Sequence, residues 1–203
     1  MTEVIHLTED LLIGKGAHKK VYIDPTDADR CIKIPHVTPD ADLEKELQYR
    51  RARERRNLGS RMLPAYYGTV RTNLGTGYVF ERVRDFDGRT SRTISQLLAE
   101  ASADRARIPF AETVMQKFRT MLFEEMIVTS NMEAVNFAVQ RISETEFTVR
   151  VTDNIGSPVF IPLAYYIDFF ARRRVRKYWV RFLDQMQKKH PAVMTESLKN
   201  RLL

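Results

Sequence analysis

Leu11-Leu12-Ile13-Gly14-Lys15-Gly16-Ala17-His18-Lys19-Lys20-Val21-Tyr22-Ile23, followed after a turn by Arg30-Cys31-Ile32-Lys33-Ile34-Pro35, is the stretch from which the fold of this chain is read. Leu11-Leu12-Ile13 and Val21-Tyr22-Ile23 have the apolar character of two short strands separated by a glycine turn. Asp24-Pro25-Thr26-Asp27 is a turn by composition, because proline fixes φ and aspartate bonds back to the backbone. Cys31-Ile32-Lys33-Ile34 then reads as a third strand, ended by Pro35. Gly14 and Gly16 lack a Cβ, so their backbone can lie close over a phosphate, although a Gly-x-Gly also serves an ordinary turn. Lys33, between two isoleucines, has either to reach outwards to water or to find an anionic partner.

Downstream, residues 40–58 carry a charged helical pattern with Leu43, Leu47 and Arg50/Arg51 in register, with Asp40 or Asp42 to cap its start and Gly59 its end. Glu46 lies mid-helix, where its carboxylate can face Lys33; Glu44, two positions away, points to a different face. A strand lysine held by a helix glutamate and reaching nucleotide phosphates is the protein-kinase arrangement. Residues 66–71 and 78–83 are two further strands joined by a hairpin-type connection, and Arg84-Asp85-Phe86-Asp87-Gly88 breaks the pattern. Helices are expected over 93–101 and 111–125, the second with Val114, Phe118, Met121 and Leu122 on one face.

An apolar triplet, Met126-Ile127-Val128, precedes a polar loop ending at Asn136, a strand over 137–142, a turn, and a strand over 147–152 ending at Asp153. That order matches the catalytic loop and metal-binding strand of a kinase. Asn136 and Asp153 offer a carbonyl oxygen and a carboxylate, donors suited to Mg²⁺. The expected class is therefore α+β and protein-kinase-like. Residues 1–83 form a small, mainly antiparallel N-lobe with one long helix, and 84–203 a reduced, mostly helical C-lobe. ATP is expected between them, its adenine against the Glu81-Arg82-Val83 backbone. Gly14 and Gly16 cover the phosphates, Lys33 contacts them and Glu46 orients Lys33.

The chain also resembles the YrbL family, bacterial proteins of the PhoP regulatory network with a kinase-like domain. The segments that carry the likeness are Leu12 through Tyr22 of the glycine turn, Arg30-Cys31-Ile32-Lys33-Ile34, Gly75-Thr76-Gly77-Tyr78-Val79, Asp85-Phe86-Asp87-Gly88 and Asp153-Asn154-Ile155-Gly156. It covers most of the chain and weakens after about Arg173. The resemblance implies a cytoplasmic, kinase-related fold and little about substrate.

The kinase pattern breaks at the base. Five residues before Asn136, where a kinase has aspartate, stands Asn131, whose amide cannot take a proton from an attacking hydroxyl at neutral pH. Glu133 stands where kinases often place a phosphate-facing lysine, and no Ala-Pro-Glu follows Asp153. General base catalysis contributes about 10²–10⁴-fold, so losing it leaves a slow enzyme or a nucleotide-binding pseudokinase unless Glu133 substitutes as base. A third reading is a basic adaptor that has lost nucleotide.

Composition limits the rest. The 203 residues carry a net charge of +7, which suits an anionic partner: nucleotide, nucleic acid, anionic lipid or acidic protein, of which nucleic acid and lipid are not favoured; an active enzyme would also need a phosphate acceptor, which the sequence does not name. One cysteine excludes an internal disulfide, and the four histidines are scattered. The N-terminus lacks signal-peptide character, and the longest apolar stretch, residues 158–171, is too short to span a bilayer. Arg172-Arg173-Arg174-Val175-Arg176-Lys177-Tyr178-Trp179-Val180-Arg181 holds six cations, and a second basic run lies at 50–56. Both read first as solvated helix faces, with Tyr178, Trp179 and Phe182 packing inwards.

Overall fold

A computed structural model describes residues 4–16, 18–37, 40–157 and 162–203. Ala17 of the glycine turn and residues 158–161 of the apolar stretch lie outside the described residues. The chain is α+β. Strands β1 (Leu12–Lys15), β2 (Lys19–Asp24), β3 (Asp27–Pro35), β4 (Tyr66–Thr72) and β5 (Gly75–Glu81) form an antiparallel sheet in the order β1-β2-β3-β5-β4. Helix α1 (Ala41–Arg55) crosses from β3 to β4. A smaller antiparallel sheet is made of β6 (Arg92–Thr93), β7 (Phe137–Arg141) and β8 (Phe147–Val151). The remaining helices are α2 (Ile94–Ala103), α3 (Ile108–Glu125), α4 (Asp168–Lys189) and α5 (Glu196–Leu202).

Side-chain alternation in β3 decides what the large sheet buries. Ile32 and Ile34 enter an apolar cluster with Leu7, Tyr22 and Val79, whereas Cys31 joins Leu43 and Phe80 on the opposite face. Because the period of a strand is two, Lys33 shares the face of Cys31, towards α1. Burial raises the pKa of the Cys31 thiol, so the lone cysteine behaves as a small packed hydrophobe.

Helix α1 starts where Asp40 accepts hydrogen bonds from the Asp42 and Leu43 N–H groups (2.9 and 3.1 Å). It stops at Arg55, earlier than expected. Asn57, not Gly59, takes the left-handed conformation (φ 52°), and Leu58 N–H returns to the Arg53 carbonyl. Its buried stripe is Leu43, Glu46, Tyr49, Ala52 and Arg53. The basic run at 50–56 is thus only partly a solvated face. Arg53 donates to the Glu125 and Gly59 carbonyls, and Arg56 to the Tyr165 carbonyl and Asp168.

The main core gathers α2, α3, α4, α5 and the β7–β8 hairpin around an aromatic nest. Phe118 lies 4.5 Å from Phe137, 5.3 Å from Trp179 and 5.7 Å from Phe182, ring centre to ring centre. Trp179 and Phe182 pack inwards as expected, while Tyr178 is only half-buried. The segment 84–88 is tied down: Phe86 N–H donates to the Arg141 carbonyl, and buried Asp85 accepts from Ser91 and from Arg141 N–H. No helix among the described residues is long and apolar enough to cross a membrane.

Candidate functional site

The candidate site lies where the β2–β3 face of the large sheet meets α1 and the end of β8. Lys33 Nζ stands 3.6 Å from Glu46, donates to the Thr152 carbonyl (3.0 Å) and lies 4.2 Å from the centre of the Phe80 ring. Glu46 is 2 % exposed, a burial that a carboxylate tolerates only when paired. Its second partner is Arg50, one turn on, which donates twice to the same oxygen (2.9 and 2.7 Å) and once to the Pro64 carbonyl. Glu44 is exposed, so the choice between the two glutamates is settled by the helix face.

Asp153 comes to this cluster from β8. Its Oδ1 accepts a 2.6 Å ion-paired hydrogen bond from Lys19 and a 2.8 Å bond from the Asn154 N–H. Burial works against ionisation of Asp153, but Lys33, Lys19 and these hydrogen bonds outweigh it and hold the carboxyl below the ordinary aspartate value. Lys19 mirrors this: burial alone disfavours its charge, yet Asp153, with Glu46 and Asp40 behind it, leaves its pKa raised. Lys19 was missed in the sequence, where it stands in a polar turn. The signal was its spacing from Val21, two residues on and therefore on the same face of β2.

Asn136 and Asp153 are brought together by the small sheet. The ladder pairs Phe137 with Val151, and one step beyond it Thr152 N–H donates to the Asn136 carbonyl at 2.9 Å. The loop 129–136 runs beside 153–157, joined by the Thr129–Ile155 bridge, by Ser130 N–H to the Asn154 carbonyl, and by Gly156 N–H to the Val128 carbonyl. Asn154 and Gly156 both take positive φ (58° and 102°). A Cβ on Gly156 would meet the Tyr165 hydroxyl at 2.7 Å and the Lys45 carbonyl at 3.1 Å, so the glycine belongs at this position in the turn.

A cavity of about 300 Å³ opens beside the charges. Ile13, Gly14, Val21 and Cys31 line one side, Lys33 and Thr152 its inner end, and Phe80, Glu81, Arg82 and Val83 a third wall. The Glu81 carboxylate accepts from Ala65 N–H and from Arg150, whereas Val83 N–H makes no hydrogen bond to another described residue. Asn131 and Glu133 lie elsewhere. Both are exposed, the Asn131 amide donates to Glu133 at 2.6 Å, and they line a separate cleft of about 530 Å³ against Arg181 and Lys189 of α4. Val135 lines both spaces.

Residues 5–187 match the sequence family described as "PhoP regulatory network protein YrbL". The chain belongs to the YrbL family. The YrbL protein of Escherichia coli (strain K12) is 36% identical over 185 residues, covering 90% of this chain and 88% of its own length. The YrbL protein of Shigella flexneri matches with the same figures. The YrbL match runs through most of α4 and takes in every residue of the charged cluster.

Proposed function

We propose that this YrbL-family chain is an ATP-binding protein of protein-kinase-like fold, with an N-lobe over 1–83 and a reduced C-lobe over 84–203, acting in its regulatory network through binding more than through turnover. The observation that carries the reading is the buried Lys33–Glu46 pair, set 3.6 Å apart at the inner end of a cavity walled by Glu81, Arg82 and Val83. In this reading adenine lies between Ile13, Val21 and Cys31 on one side and Val135 on the other, bonding the Glu81 carbonyl and the Val83 N–H. Lys33 takes the α/β-phosphates, and Glu46 keeps it aimed.

The glycines support the same reading. Added Cβ atoms at Gly14 and Gly16 would meet the rest of the chain only at ordinary contact distances (3.6 Å and beyond), and neither has positive φ. The fold itself therefore does not demand glycine there, whereas a phosphate lying against the strand does.

The donor set fits Mg²⁺ carried in by a nucleotide better than a free ion. No group of three or more His, Cys, Asp or Glu among the described residues is placed to hold a metal. Mg²⁺ commonly takes one or two carboxylates plus substrate phosphates; Asp153 and the Asn136 amide would be those protein ligands only where Lys19 gives up Asp153 Oδ1, which it holds at 2.6 Å, and the ion would then neutralise phosphate charge.

Binding is favoured over transfer by the loop at 131–133. Asn131 cannot serve as base, and the Glu133 carboxylate is engaged by its amide. In the slow-enzyme reading Glu133 would have to leave the Asn131 amide to act as base towards a phosphate acceptor. The site is proposed to work in the cytoplasm.

The test is an amide NMR titration with ATP. The Val83 and Lys33 resonances are expected to shift, while those of α5 stay in place. A spectrum unchanged at millimolar ATP would sink the assignment.

A further inference from the structure

Three cations (Lys19, Lys33 and Arg50) and two carboxylates (Glu46 and Asp153) form the ion pairs gathered around Lys33, which lines the cavity. Lys33 and Arg50 share Glu46, so Asp153 is left to Lys19 as its direct ion-pair partner. Lys19 follows the glycine turn immediately: its carbonyl accepts from Gly16 N–H at 2.9 Å, and its residue pairs with Pro35 across the β2–β3 ladder. It shares the face of Val21, which lines the cavity. Its side chain is almost fully buried, in contrast to Lys20, whose partner Glu9 lies on the surface.

A carboxylate whose inner oxygen already holds an ammonium at 2.6 Å offers a poor seat to a divalent cation, because the two positive charges would share one ligand. Lysine is also a mobile point charge with three donors on a flexible stem, able to pass from carboxylate to phosphate.

We infer that Lys19 is a second phosphate-binding lysine that stands in for a divalent cation. It neutralises Asp153 before a nucleotide enters and transfers to the phosphates when one does, so that binding by this site is largely independent of metal. The inference rests on the nucleotide reading given above and adds to it the origin of the charge that compensates the phosphates.

Equilibrium titration with a fluorescent N-methylanthraniloyl ATP, in Mg²⁺ and in EDTA, tests it. Each protein is first shown to be folded by its thermal transition. The wild type is expected to bind in both buffers with affinities within about threefold of each other. Lys19→Met should lose about tenfold or more in EDTA, the size of a charge-assisted hydrogen bond, and recover much of it in Mg²⁺. Lys19→Arg keeps the charge and should lose less metal-free affinity than Lys19→Met.

Asp153→Asn should act in the opposite direction, tightening metal-free binding by releasing Lys19 and abolishing any gain from Mg²⁺. A wild type that binds only with Mg²⁺, with the same metal dependence in Lys19→Met, overturns the inference and leaves the nucleotide reading standing. So do Lys19→Met and Asp153→Asn moving metal-free affinity in the same direction. A folded wild type that binds in neither buffer overturns both.

Discussion

Glu46→Ala is expected to destabilise the fold by about 3–5 kcal/mol, the cost of leaving buried charge without its counter-ion. Glu46 is the hub of the cluster: Lys33 stands at 3.6 Å, and Arg50 makes two hydrogen bonds to it. Its removal strands two cations beside the same Phe80 ring, 4.2 and 5.2 Å from the ring centre. Glu46→Gln keeps an acceptor for Arg50 and is expected to lose less. Lys33→Met is expected to be milder still, since Glu46 then retains Arg50. Urea denaturation of the three variants checks the order. A Lys33→Met protein less stable than Glu46→Ala would show that Glu46 is not the organising group.

The second large effect is expected in the helical core. Trp179 is 1% exposed, contacts Phe118, Phe123 and Phe182, and donates its indole N–H to the Leu202 carbonyl at 2.8 Å. Trp179→Ala removes the largest buried side chain and opens a cavity, at about 3–5 kcal/mol. Trp179→Phe keeps ring packing and leaves the Leu202 carbonyl with Arg119 Nε as its donor at 2.7 Å, so the lost hydrogen bond is expected to cost only about 0.5–1.5 kcal/mol. The chain has one tryptophan, so circular dichroism rather than fluorescence has to follow unfolding. A loss below about 1 kcal/mol in the alanine variant would contradict the packing described here, because such losses belong to surface positions.

Much of this architecture is written in short-range pattern. The alternation in Cys31-Ile32-Lys33-Ile34 places a lysine on one face and two isoleucines on the other, and the sheet buries them accordingly. Three-residue spacing from Leu43 puts Glu46 on the inner stripe of α1, while Glu44 falls outside.

What escaped reading depends on tertiary partners. Arg53 looks like one more cation in a basic run; the carbonyls of Gly59 and Glu125 and the Tyr49 hydroxyl explain its burial. Asn57 ends α1 because the chain turns back at once to bond Arg53, which no composition rule favours over Gly59. Lys19 sits beside Lys20 in a turn; alternation assigns it to the Val21 face, but its partner there, Asp153, lies 134 positions away. Asn131 and Glu133 were placed by analogy with a kinase loop. Their mutual hydrogen bond, and the separate cleft they line, follow from the course of 129–136 against α4.

The central claim, that the cleft between the large sheet and the β8 end is a nucleotide site built on Lys33, is tested most directly by thermal unfolding of the wild type and Lys33→Met across an ATP titration in Mg²⁺. At 100 times its dissociation constant a ligand stabilises the native state by about 2.7 kcal/mol, which raises the transition of a chain this size by about 5–11 °C. The expected result is a rise of that order in the wild type that is absent from a folded Lys33→Met protein. A wild type unmoved at millimolar ATP, or an equal rise in both proteins, would contradict the claim.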